Sequence, residues 1–323
     1  MQSIHIPQKN TSLLRVILML LVLHLCLLPS QAQDSSIMVS KKTVTLKEVV
    51  VRSNLNVPGF IDRVKNDTTF YKAFKNLKIL GYSSLNDVRM LDKKGVTRAS
   101  LQGRTRQQVL NGCRHTVIEQ QQLTGDMIDK SGNWNYYTMD MYAGLFWVRD
   151  TLCGENNIVG DPSFNLKNKS GSAKHREQLK MLFFNPGKKI PGLPFVGNKL
   201  ALFDDEMSEY YDYVIDMEQL NGEWCYVFNV NARNDLTSGQ KNNIVINNMT
   251  TWFNQQTMDI VLRKYDLSYR AGVYDFDVQI EAELTRFGDY LVPKVLRYNG
   301  NWDVMLKKRE RGVFTATLFD FKK

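Results

Sequence analysis

Histidine is nearly absent from this 323-residue chain, with four in all, and only His115 and His175 lie beyond residue 32. Nucleophilic serine or cysteine catalysis usually needs such a base. There is no G-x-S-x-G elbow and neither histidine sits in a recognisable motif, so a hydrolase triad is disfavoured. No glycine-rich phosphate loop or dinucleotide fingerprint occurs. The four cysteines fit no zinc spacing, and neither metal nor cofactor is expected. Asp129 to Asp140, DKSGNWNYYTMD, has the look of a calcium loop, but Trp134 stands where the sixth-position glycine is required. After the first thirty residues no apolar run is long enough to cross a bilayer, which excludes a polytopic membrane protein. An aromatic content of 11% argues against disorder.

What is present begins with an address. Lys9 and Arg15 precede an apolar run from Val16 to Leu28, and Ser30-Gln31-Ala32 offers a small-x-small cleavage site before Gln33. The run is short for a membrane anchor, and Leu23-His24-Leu25 ahead of Cys26 lacks the small residues that lipid attachment needs. The expected product is soluble, cleaved near Ala32, and placed in the periplasm or secreted. Removing Lys9 and Arg15 takes the net charge from +9 to +7. Lys307-Lys308-Arg309 with Arg311 is the densest basic group, but Glu310 interrupts it and it reads as a solvated strand end. No specific nucleic-acid binding is expected.

Three cysteines remain after cleavage. In an oxidising compartment Cys113 and Cys153 are the expected disulfide, each beside a glycine in a turn or helix end; Cys225, inside a predicted strand, reads as a buried small hydrophobe.

Along the chain, residues 33–66 form a polar segment and a strand over Thr43 to Arg52, with Pro58-Gly59 breaking the chain. Residues 67–198 hold a helix from Asp67 to Leu80, hairpins turning at Asp92 to Gly95 and Asp129 to Gly132, a helix over Thr138 to Leu152, a short helix over Ala173 to Phe184, and a Pro/Gly-rich loop carrying Leu193, Phe195 and Val196. Residues 199–323 are an antiparallel meander, expected to be continuous with the preceding region. Its strands fall at 210–217, 223–231, 244–253, 258–269, 273–287, 290–299, 301–309 and 312–321, with Asn221-Gly222 as a tight turn. In the fifth, Tyr274, Phe276, Val278, Ile280, Ala282 and Leu284 alternate with polar residues, so one face is buried and the other wet. A strand of that length must twist and coil. The predicted fold is mainly β (α+β), a large curved antiparallel sheet or half-barrel covered by a few helices.

On the wet face Asp275 and Asp277 stand two apart, with Glu281 and Glu283 beyond. Paired carboxylates suit acid/base work on a sugar, whereas Arg263, Lys294, Arg297 and Lys307 in neighbouring strands suit cross-strand ion pairing, the favoured reading. No residue is assigned as catalytic or ligand-binding.

Two resemblances extend these readings. TLKEVVVRS, Thr45 to Ser53, resembles the segment before the plug of TonB-dependent outer-membrane receptors and implies a Gram-negative envelope. The stretch from Trp224 to Phe321, including CYVFNV, TTWFNQQTMDIVLRKY, YDFDVQIEAEL and RYNGNWDVMLKKRE, resembles secreted proteins of unknown function from Gram-negative gut bacteria and, more distantly, the sheets of lipoprotein-localisation carriers. The second likeness implies an exported, non-enzymatic envelope protein that binds a lipid-like or polypeptide partner on its curved sheet, with peripheral association at the outer membrane. The alternatives are a periplasmic glycan hydrolase using paired carboxylates and a structural accessory of an envelope complex.

Overall fold

The computed structural model describes residues 35–39, 42–46, 55–148, 150–160, 181, 184–190, 196–270, 274–304 and 308–323. The leader, Lys47 to Arg52, His175, Leu193, Phe195, Lys307 and most of the predicted helix over 173–184 lie outside the described residues.

Thirteen strands join one open, curved sheet: β1 Ser35–Val39, β2 Lys42–Leu46, β3 Gly81–Leu91, β4 Thr97–Leu110, β5 Cys113–Thr124, β6 Leu152–Cys153, β7 Tyr211–Leu220, β8 Glu223–Ala232, β9 Ile246–Asn254, β10 Ile260–Arg270, β11 Tyr274–Phe287, β12 Tyr290–Val304 and β13 Glu310–Lys322. Their spatial order is β1-β2-β7-β8-β9-β10-β11-β12-β13-β3-β4-β5-β6. A meander from β7 to β13 therefore forms the middle, and the early hairpins of β3 to β5 extend it beyond the last strand. The antiparallel expectation has one exception, since β2 runs parallel to β7 with Val44 opposite Tyr213.

Tight turns set the hairpin registers. Asn111-Gly112 and Asn221-Gly222 both hold positive φ, the geometry that matches strand twist in two-residue loops. In β11, Phe276, Val278, Ile280, Ala282 and Leu284 are buried on the inner face. The two strands predicted at 290–299 and 301–309 are one, β12, running through Gly300. That glycine is not a break: the Tyr298 ring lies across it, where any Cβ would collide, and stacks on Phe314 of β13 at 4.6 Å with planes 7° apart. An aromatic ring thus covers the bare backbone that glycine leaves.

Among the described residues, three helices of eight residues or more lie over the inner face. Helix α1, Val57–Asn66, begins where Pro58-Gly59 was expected to break the chain. Proline in a first turn forfeits only an N–H that has no intrahelical partner, and the Asn56 side chain accepts from the Gly59 N–H at 3.2 Å. Helix α2, Thr69–Asn76, is shorter than predicted, but its start is tied as expected: the Asp67 carboxylate accepts from the backbone of Thr69 and Phe70. Helix α3, Tyr137–Phe146, stops six residues before its predicted end. Trp147 turns extended, and the chain goes on to place Leu152 beside Arg114 in β6. Its first turn is capped from elsewhere: Glu310 of β13 accepts from the Tyr137 and Thr138 N–H groups at 2.7 and 2.9 Å.

The inner face differs at its two ends. Beneath α3 it is polar, with Ser84, Asn86, Thr105 and Gln107 all buried. The Ser84 and Thr105 hydroxyls lie 2.7 Å apart, Tyr142 donates to Asn86 Oδ1, and Gln107 donates to the carbonyls of Leu77 and Leu80 at 2.6 Å. Arg114 donates to Gln107 and pairs with Glu155, which also holds Lys78. Burial alone would raise the Glu155 carboxyl, but hydrogen bonds and charges from Arg114 and Lys78 outweigh it and hold the pKa below its usual value. The other end, beneath α1 and α2, is a layer of rings.

Candidate functional site

Phe60 of α1 meets Tyr226, Phe228 and Phe253 of β8 and β9 with ring centroids 5.9, 6.1 and 5.2 Å apart. Phe70 of α2 meets Tyr265 at 6.4 Å, and Phe74 meets Phe184 at 4.6 Å. Met181, Met207 and Met249 join the same core. Phenylalanine and methionine carry no hydrogen bonds that fix position, and the unbranched thioether adapts to irregular space. The described part of the Pro/Gly-rich loop is folded into this layer: Ile190 and Val196 are both buried.

One strong charge interrupts it. Arg263 of β10 lies on the inward parity shared by Tyr265, Leu267 and Tyr269, and its side chain is 7% exposed. Its Nε donates to Thr251 Oγ1 at 2.9 Å, and its guanidinium lies 4.3 Å over the Phe70 ring. Asp67, between α1 and α2 and 9% exposed, is 4.0 Å from it, already committed to the first turn of α2. The half-buried Lys188 adds a second cation to this region, donating to the Lys65 carbonyl. Burial lowers the pKa of both bases, with Asp67 opposing the shift in each and Arg263 adding to it at Lys188. Both cations feel Asp67 beneath the junction of α1 and α2, and Lys188 feels Asp204 as well. Such a place can hold an anionic group whose apolar remainder lies among the rings.

The sequence reading passed over this cluster. Arg263 was placed on the wet face as an ion-pair partner, but the alternation of β10 turns it inward and Lys264 outward. The signal was available: an arginine at the position in phase with Tyr265, Leu267 and Tyr269. On the wet face Lys264 pairs with Glu281 at 2.8 Å, and Arg297 bridges Glu281 and Glu283 at 2.5 and 2.7 Å. Asp275 stands opposite Arg270 and Asp303, and Asp277 opposite Ser268 and Asn301. His115 lies in β5 opposite Gln108. Cys113 and Cys153 are joined, with sulfur atoms 2.07 Å apart, and fasten β6 to β5. Cys225 is buried, and burial pushes its thiol pKa up. No group of three or more potential metal-ligating side chains occurs among the described residues.

No known protein family matches the chain, and no curated protein does. Solved structures do. A putative outer membrane lipoprotein-sorting protein domain from Vibrio parahaemolyticus is similar over 78% of this chain and 88% of its own, at 11% identity and a TM-score of 0.27. A DUF1329 family protein from Desulfovibrio piger is similar over 79% and 93%, at 11% identity and a TM-score of 0.25. A LolA superfamily protein from Nitrosomonas europaea is similar over 79% and 91%, at 11% identity and a TM-score of 0.22. The likeness is a distant one of fold and assigns no residue a role.

Proposed function

We propose that this is an exported, non-enzymatic envelope protein that binds an anionic amphiphile between α1, α2 and the inner face of the sheet. The observation that carries this is Arg263: a buried guanidinium set in an aromatic and methionine-rich layer, whose nearest carboxylate, Asp67 at 4.0 Å, is already committed to the first turn of α2. An acid headgroup would supply the counter-charge, and an acyl chain would take the place of ring contacts. Helices of ten and eight residues are too short to persist alone, so their attachment rests on those contacts and can be exchanged for a ligand's. Placement in the periplasm or beyond belongs to the same reading, because a disulfide such as Cys113–Cys153 persists in oxidising compartments.

The test uses residues 33–323 purified from an oxidising compartment, first by native mass spectrometry for a retained lipid. Binding of palmitate, hexadecylphosphocholine and dodecyl maltoside is then compared in the native protein and in Arg263→Met. Tight binding of palmitate that the substitution weakens about tenfold, with the neutral detergent unaffected, supports the reading; a tenfold loss is the scale of a charge-assisted hydrogen bond. Absence of amphiphile binding, or equal affinity for all three before and after substitution, overturns it.

A further inference from the structure

The opposite face of the sheet carries a second feature that the inner layer does not explain. The register aligns Asn231 of β8 with Asn248 of β9, Asn248 with Asp266 of β10, Asp266 with Gln279 of β11, and Gln279 with Asn299 of β12. Adjacent strands lie about 4.8 Å apart, so these five side chains form a row about 19 Å long across the middle of the sheet. Asparagine and aspartate are depleted in strands, where β-branched and aromatic residues fit better. Their recurrence at one level of five neighbouring strands runs against local preference, as functional surfaces do.

Most of the row lies in a shallow hollow. Asn248, Asp266, Gln279 and Asn299 line a depression of about 560 Å³. Its lining charges balance, with Arg89, Lys264 and Arg297 against Asp87, Asp266 and Glu281: Lys264 and Arg297 both meet Glu281, and Arg89 meets Asp87 at 2.6 Å. A polyanion would find no surplus of positive charge here. Asn248 and Asn299 make no side-chain hydrogen bond among the described residues, and each terminal amide offers two donors and an acceptor oxygen. That combination suits neighbouring hydroxyls, which both donate and accept.

We propose that this row is a binding platform for a short, uncharged, linear glycan laid across strands β8 to β12. Sugar units placed successively over the strands would each meet one amide or carboxyl of the row, with the flanking ion pairs forming the walls. Asp266 is held in place as an acceptor by Asn247, which donates to Oδ1 at 3.1 Å. This platform is on the face opposite Arg263 and stands or falls independently of amphiphile binding.

The test is calorimetric titration of residues 33–323 with cellohexaose, xylohexaose, maltohexaose and N-acetylchitohexaose, with hexagalacturonate as the charged comparison. At least one uncharged hexasaccharide is expected to bind at millimolar or lower concentration and more tightly than hexagalacturonate. The triple variant Asn248→Ala, Gln279→Ala, Asn299→Ala is expected to weaken that binding about tenfold or more, with palmitate binding unchanged, the scale of one or two lost hydrogen bonds. Should the triple variant melt early, Asn299→Asp alone tests the same contact, because it removes the amide donors while keeping the side chain's size. Failure of all four uncharged hexasaccharides to bind, preference for hexagalacturonate, or undiminished binding by a folded variant overturns the proposal.

Discussion

Beneath α3 the inner face is joined by bonds that have directions; beneath α1 and α2 it is joined by rings that do not. At the first end, Tyr142 reaches Asn86, Gln107 holds two carbonyls, Glu155 holds Arg114 and Lys78, and a disulfide fastens β6 to β5. Removing Glu155 or Gln107 deprives the buried Arg114 of one of its partners. At the second end, Phe60, Phe70 and Phe74 pack through rings against β8, β9, β10 and Phe184, with directed bonds beside them: Asn76 donates to the Leu291 carbonyl at 2.8 Å, Arg63 to the Met258 carbonyl at 3.3 Å and Arg263 to Thr251 at 2.9 Å. The lesson is that one sheet face can be covered in two ways: rings hold α1, whereas the C-terminal end of α2 shares the directed network through the Leu77 carbonyl and Lys78.

Substitutions break this comparison in different ways. The largest effect is expected from Phe228→Ala, because Phe228 is completely buried beneath Phe60; chemical denaturation should show a loss of about 3–5 kcal/mol. Next is the double change Cys113→Ser, Cys153→Ser. It opens a link across 40 residues and should cost about 2–4 kcal/mol in the same measurement. If hydrogen exchange then rises in α1 and α2 as much as in α3, the two ends are one cooperative unit and the contrast fails.

Glu155→Gln should cost about 2 kcal/mol at neutral pH, the range for hydrogen bonds to charged groups. Its pH dependence sharpens the point. The folded carboxyl is held below the unfolded value, about 4.3 for glutamate. The stabilisation is therefore complete above that value and is lost as pH falls through the folded pKa. Melting curves of the native protein and the variant should converge in acid, and a constant gap down to the lowest pH would contradict the assignment. The smallest effect is that of Tyr142→Phe, about 1 kcal/mol from one lost hydrogen bond, with α3 exchanging faster and α1 unchanged.

Much of this architecture was legible in local pattern. The alternation of Phe276 to Leu284 announced a long two-faced strand, and Asn221-Gly222 announced its kind of turn, because both signals are set by neighbours in sequence. Three features were not legible, each for a reason of distance or context. Gly300 looked like a break because its covering ring, Tyr298, had no visible support until Phe314 was placed beneath it. The early end of α3 depends on where Leu152 and Cys153 are drawn, and its beginning on Glu310 from the far end of the chain. Arg263 was visible as a residue out of keeping with its strand face, but its meaning needed Asp67, Phe70 and Lys188 brought to it from other segments.

The strand order has a consequence in time. Val88 of β3 lies opposite Phe314 of β13, so within the described sheet the β3 to β5 hairpins join the meander through β13. Until the thirteen residues of β13 are in place, neither part can complete the sheet. Pairings this remote in sequence form slowly. In refolding, amide protection at the seam between β3 and β13 is therefore expected to lag behind protection in the local hairpins.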